Sequence, residues 1–120
     1  MDLALSVIGR EAPEMVETPF GAVGTLYASS DLKAWWIWKD EEDVDPAWKV
    51  NSHDDFLYVV RGELKLELRG KATVMLQEGD AFVIPAGAPF RGYRWPRTAS
   101  EPCLFLAVSP GDQTTTEQPG

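Results

Sequence analysis

The stretch Glu63-Leu64-Lys65-Leu66-Glu67-Leu68-Arg69 alternates apolar and charged residues without a break. A strand turns successive side chains to opposite faces, so Leu64, Leu66 and Leu68 share one face and the charges the other. One face of this strand therefore meets a core. Gly70-Lys71 fits a two-residue hairpin turn with glycine at its first position, after which residues 72–76 return antiparallel with Ala72, Val74 and Leu76 inward. Outward from this hairpin, extended segments at 22–28, 32–39 and 55–60 precede it, and segments at 81–84, 90–95 and 104–108 follow it. Pro85-Ala86-Gly87 and the stretch 96–102 punctuate the later ones. No apolar spacing of helical period persists over a dozen residues, so the fold class is all-β, built of the short strands that sandwiches and barrels use.

The chain has 120 residues, the length of one domain. It divides into an N-terminal arm at 1–19, a barrel at 20–109 and a flexible C-terminal tail at 110–120. The arm is expected to add to a sheet edge or to a dimer interface. The tail, Pro-Gly-Asp-Gln-Thr-Thr-Thr-Glu-Gln-Pro-Gly, offers no aliphatic or aromatic anchor. With 11 basic and 19 acidic residues the net charge is -8, which argues against nucleic acid or an anionic membrane as default partner. One cysteine, Cys103, and one histidine, His53, rule out an internal disulfide and any zinc site built from several His and Cys ligands. The longest apolar runs, 34–38 and 103–108, fall far short of the about 20 residues that span a bilayer. The start Met1-Asp2-Leu3-Ala4-Leu5 lacks a cationic lead and Arg10-Glu11 interrupts it, so a cytoplasmic location is expected.

Two further segments carry a family resemblance. Lys49-Val50-Asn51-Ser52-His53-Asp54-Asp55-Phe56-Leu57-Tyr58-Val59-Val60-Arg61-Gly62-Glu63-Leu64 is similar to the first motif of the cupin superfamily, His-x-His, three or four residues, Glu, six residues, Gly. Gly79-Asp80-Ala81-Phe82-Val83-Ile84-Pro85-Ala86-Gly87-Ala88-Pro89-Phe90 is similar to the second, Gly, five residues, Pro-x-Gly, two residues, His. The resemblance covers residues 22–108 and implies a double-stranded β-helix barrel of the jelly-roll type. It also assigns metal-ligand positions, and these hold other residues here. The glutamate position is Asp55; the two histidine positions are Lys49 and Asn51, or Trp48 and Val50 with the longer spacing; the second-motif histidine position is Phe90, and the asparagine that often follows is Arg94. Imidazole or thiolate ligation needs several such groups converging, so neither a metal nor another cofactor is expected.

Strand parity predicts what lines the barrel. With Leu57 and Val59 inward, Asp55 is inward too, and the same alternation puts Lys49, Asn51 and His53 inside unless a bulge or loop intervenes. Phe90, Gly92 and Arg94 follow on a later strand. A buried carboxylate is costly alone, so Asp55 is expected to pair with Arg94 or Lys49 where relatives hold a metal. Among the five tryptophans, Trp36 and Trp38 share one face of their strand while Trp35 and Ile37 share the other. They read as barrel core with a covered outer face, or as an aromatic wall for a ligand, formed by Trp48 and one face of residues 35–38. Aromatics on both faces of one strand imply a homodimer. Arg91 and Arg97 read as surface charge, and Cys103 as a small core residue. The acidic run at 40–45 reads as a solvated loop or as a divalent-cation site lacking the glycine of a calcium loop.

Three functions fit. The first is a metal-independent cupin-fold protein that binds a small polar or anionic organic molecule through Lys49, Asn51, Asp55, Phe90, Arg94 and Trp48. The second is a metal-independent isomerase, epimerase, lyase or cyclase with Asp55 or His53 as base and Lys49 and Arg94 stabilising an enolate. The third is a structural dimer whose barrel is filled by its own side chains.

Overall fold

The computed structural model describes residues 15–18, 21–39, 46–96, 99 and 101–119, which form strands, turns and loops with no helix among them. The strands are β1 Met15–Thr18, β2 Gly21–Ala28, β3 Leu32–Lys39, β4 Trp48–Asn51, β5 Asp55–Arg61, β6 Leu64–Leu68, β7 Thr73–Leu76, β8 Ala81–Ile84, β9 Phe90–Arg94, β10 Cys103–Pro110 and β11 Thr115–Gln118. They make two antiparallel sheets, ordered β1-β2-β3-β10-β5-β8 and β11-β4-β9-β6-β7, whose order places distant strands side by side as a jelly-roll barrel does. No described helix is long and apolar enough to cross a membrane.

Alternation explains the core. Leu57 and Val59 of β5, Leu64 and Leu66 of β6, Leu76, Ile84, Cys103, Phe105 and Ala107 point between the sheets and are buried. Each large aliphatic or aromatic member removed from water contributes about 1.5–3 kcal/mol. The opposite face of β5 and β8 keeps Phe56, Tyr58 and Val83 exposed.

Glycine is required at Gly62, between β5 and β6. Its φ is 78°, and a Cβ there would lie 3.0 Å from the carbonyl oxygen of Pro102. A side chain would therefore meet both backbone strain and the start of β10. The hairpin turn differs from the expected one. Lys71 N donates to Leu68 O, and Gly70, with φ 74°, is the second central residue rather than the first. The positive φ demanded at that second position decides which pair turns, and Ala72 is consequently exposed outside β7.

The C-terminal segment also differs from expectation. Residues expected to form a flexible tail instead continue β10 to Pro110, turn, and pair as β11 with β4, Thr115 opposite Asn51 and Gln118 opposite Trp48. The anchor is polar. The buried Gln113 side chain accepts from His53 N at 2.6 Å and Ser52 Oγ at 3.1 Å, and donates to His53 O at 2.8 Å. Ser52 N also donates to Thr114 O, and Thr114 N to Ser52 Oγ. At the other end, β1 pairs with β2 at the sheet edge. The rest of the expected arm, the acidic run 40–45 and Arg97 lie outside the described residues.

Removing the Gln113 amide leaves the His53 N–H and C=O without their partner. Gln113→Ala should cost about 1–3 kcal/mol in urea unfolding and speed amide exchange across residues 115–118. Unchanged exchange there would show that β11 does not depend on this clamp.

Candidate binding cavity

Between the two sheets lies a partly open cavity of about 270 Å³. Its walls are apolar: Val23, Trp35 and Ile37 from β2 and β3, Leu57, Ile84 and Phe105 from β5, β8 and β10, and Leu64, Leu66 and Phe90 from the facing sheet. Gly92 also lines it, on the same face of β9 as Phe90 and directly opposite Leu66. The lack of a side chain at Gly92 is part of what leaves the space open.

The polar lining consists of Lys39, Lys49, Asn51, Asp55, Arg91 and Thr115. Parity within β4 turns Lys49 and Asn51 inward, and β5 begins with Asp55 on the face that carries Leu57 and Val59. Lys49 Nζ lies 3.0 Å from Glu117 Oε1 of β11. Asn51 Oδ1 accepts from Thr115 Oγ1 at 2.7 Å, while its Nδ2 is buried without a hydrogen-bond partner. Asp55 Oδ1 is likewise buried and unpartnered. Burial alone pushes the Asp55 carboxyl up to about 7. Arg91 pairs with Glu67, donates to Pro46 O and lies 4.3 Å from the centre of the Trp48 ring.

The residues expected at the site are thus partly brought together. Lys49, Asn51, Asp55 and Phe90 line the cavity, as does the Trp35 and Ile37 face of β3. Arg94 does not line it. Arg94 shares the inner face of β9 but lies opposite Leu64, farther along the strand, where its guanidinium donates to Ala99 O at 2.9 Å. The expected pairing of Asp55 with Arg94 or Lys49 is not found among the described residues: Asp55 Oδ1 has no hydrogen-bond partner, Lys49 meets Glu117, and Arg94 donates to Ala99 O. Trp48 points to the other face of β4, packed against Arg91 and Arg69. His53 sits in the turn that breaks the alternation between β4 and β5. Its Nε2 is 3.2 Å from Asp112 Oδ1, and it lies outside the cavity lining.

Lys39, Thr115 and Glu117 went unmarked in the sequence. Lys39 follows Trp35 and Ile37 at period two, a signal that strand parity carries. Thr115 and Glu117 gave no such signal, because polar bonds anchor their segment. Cys103 is buried, and burial pushes its thiol up to about 12, with nearby Lys39 opposing, so no thiolate is available at neutral pH.

The positions that the family resemblance assigns to metal ligands present an ammonium, an amide, a carboxyl and a phenyl ring. Lys49 turns its charge to Glu117, and Phe90 has no donor atom. These groups do not fit a divalent transition metal, and among the described residues no three His, Cys, Asp or Glu side chains converge to hold one.

The family model described as "Cupin domain" matches residues 36–109. Among solved structures, a cupin-like protein from Thermotoga maritima is 17% identical with a TM-score of 0.73, over 96% of this chain and 90% of that one. KdgF from Halomonas sp. is 23% identical with a TM-score of 0.66, over 82% of this chain and 87% of that one. DMSP lyase DddQ from Ruegeria pomeroyi is 19% identical with a TM-score of 0.66, over 79% of this chain but 50% of that one. At these identities the likeness is one of fold. Among curated proteins, none matches the sequence.

The raised Asp55 carboxyl makes stability depend on pH. The unfolded chain loses this proton near 3.8 and the folded protein near 7, so stability falls as pH rises between those values, by up to about 4 kcal/mol. Asp55→Asn, which has the same shape but does not ionise, should unfold like the native protein near pH 4 and gain on it steadily toward pH 7 in chemical denaturation. Parallel curves for the two proteins would show that Asp55 is hydrated in the fold.

Proposed function

Because the chain belongs to the cupin domain family, we propose that it binds a small organic molecule in its barrel without a metal, the molecule having an apolar body and one polar head. The observation that carries this reading is the pair of orphaned polar atoms, Asn51 Nδ2 and Asp55 Oδ1, lining a cavity whose other walls are mostly hydrocarbon. Leaving a buried polar group unmatched costs about 1–3 kcal/mol each, which a ligand head that hydrogen-bonds to both would recover. The ligand's body replaces water against Trp35, Ile37, Leu57 and Phe105. An apolar cavity of about 150 Å³ accepts benzene, so this larger one accommodates a body of six or so carbons together with a head group. Metal independence is supported by the donor set at the family's ligand positions. The barrel is not filled by its own side chains, which weighs against a purely structural role.

One observation favours a second reading as a metal-independent isomerase, epimerase, lyase or cyclase. A carboxyl held near 7 in a cavity is matched to proton transfer at neutral pH. His53 lies outside the lining, so Asp55 alone would serve as the acid or base. Under this reading Asp55→Asn retains binding and loses turnover.

Isothermal titration with hexanamide, glucose and inorganic phosphate tests the binding reading. Hexanamide should bind, and the two fully polar probes should not. In Gly92→Leu, the added Cβ meets the Leu66 and Leu64 methyls at 3.3 and 3.5 Å, and the rest of the side chain enters the cavity, so hexanamide binding should disappear from a protein that still folds. Binding that persists in this variant would place the ligand elsewhere.

A further inference from the structure

Lys49 is a lysine inside a barrel. Its side chain is 5% exposed, and a carboxylate that arrives from outside, Glu117 Oε1, lies 3.0 Å from its Nζ. Glu117 itself has half its side chain exposed and belongs to β11, a four-residue strand that among the described residues pairs with β4 alone and has every residue exposed. Two residues earlier, Thr115 occupies Asn51 Oδ1 and leaves Asn51 Nδ2 facing nothing. The Glu117 carboxylate therefore serves the ammonium but leaves the amide donor unmet.

We propose that Glu117 stands in for the ligand's own head group, and that the barrel takes a small aliphatic carboxylic acid whose carboxylate replaces Glu117 on Lys49 while accepting from Asn51 Nδ2. This rests on the binding reading above and narrows its head group. A carboxylate approaching from the cavity side has two oxygens and meets both donors at once, an advantage over Glu117 that drives the exchange. Asp55 Oδ1 is the second unmatched atom on the same lining, and the protonated carboxyl is the form that can donate to a ligand carboxylate. Lys39, Lys49 and Arg91 give the lining three cationic side chains to the one Asp55 carboxyl, Arg91 being paired with Glu67. The alkyl chain lies against Trp35, Ile37 and Phe105. The released Glu117 returns to solvent, where its exposed position makes rehydration inexpensive.

Titration of hexanoate and hexanamide into the native protein, Glu117→Gln and Lys49→Met tests the proposal. Hexanoate should bind the native protein about tenfold more tightly than hexanamide. Glu117→Gln should tighten hexanoate by about another tenfold and leave hexanamide unchanged, because it removes the competing carboxylate from an exposed position. Lys49→Met should erase the preference for hexanoate. If hexanamide binds and Glu117→Gln leaves hexanoate affinity unaltered, the Glu117 exchange is wrong while the binding reading survives. If neither probe binds the folded native protein, both fall. The Glu117 variant decides the matter even where Lys49→Met does not fold.

Discussion

Ala107 has no exposed surface, and the barrel closes over it. It stands opposite Trp35 on one side and Leu57 on the other, so β10 is the strand through which β3 and β5 belong to one sheet. The next inward position, Phe105, faces Ile37 and Val59 in the same way. Large and small residues thus alternate across the seam, and Trp35, Leu57 and Phe105 together form one wall of the cavity. Without β10, β3 is paired on one side by β2 and β5 on one side by β8, and the pairings that β10 adds join residues far apart in the chain. Pairing between such distant segments forms more slowly than local hairpins.

Much of this was legible in the sequence. The alternation in β6, the bounds of β3 and β8, and the Gly62 and Gly87 turns follow from period and punctuation, because hydrocarbon burial and positive φ leave marks that a single sequence displays. The inward positions of Lys49, Asn51, Asp55 and Phe90 were readable for the same reason. What escaped was held by polar bonds. Gln113 anchors the C-terminal segment through one amide inserted between Ser52 and His53, and no apolar residue announces it. Arg94 was misplaced by length rather than by face: parity gives the side of a strand but not how far along the barrel the cavity extends.

The site is a compromise between two demands on the same residues. Filling the barrel with hydrocarbon would stabilise it most, yet Lys49, Asn51 and Asp55 bring polar atoms inside at some cost. The protein limits that cost locally, with Thr115 on one atom of Asn51 and Glu117 on Lys49, and leaves the remainder unsatisfied. Stability is thereby surrendered at residues that line the cavity.

Cys103 adds a practical consequence. It is the chain's single sulfhydryl, it is 1% exposed, and it begins β10, the strand that closes the barrel. A thiol reagent meets it only after that strand detaches, so the rate of its modification is a clock for opening of the closing seam. The fold thus carries its own reporter of how often the two halves of the chain part company, and it does so without any introduced label.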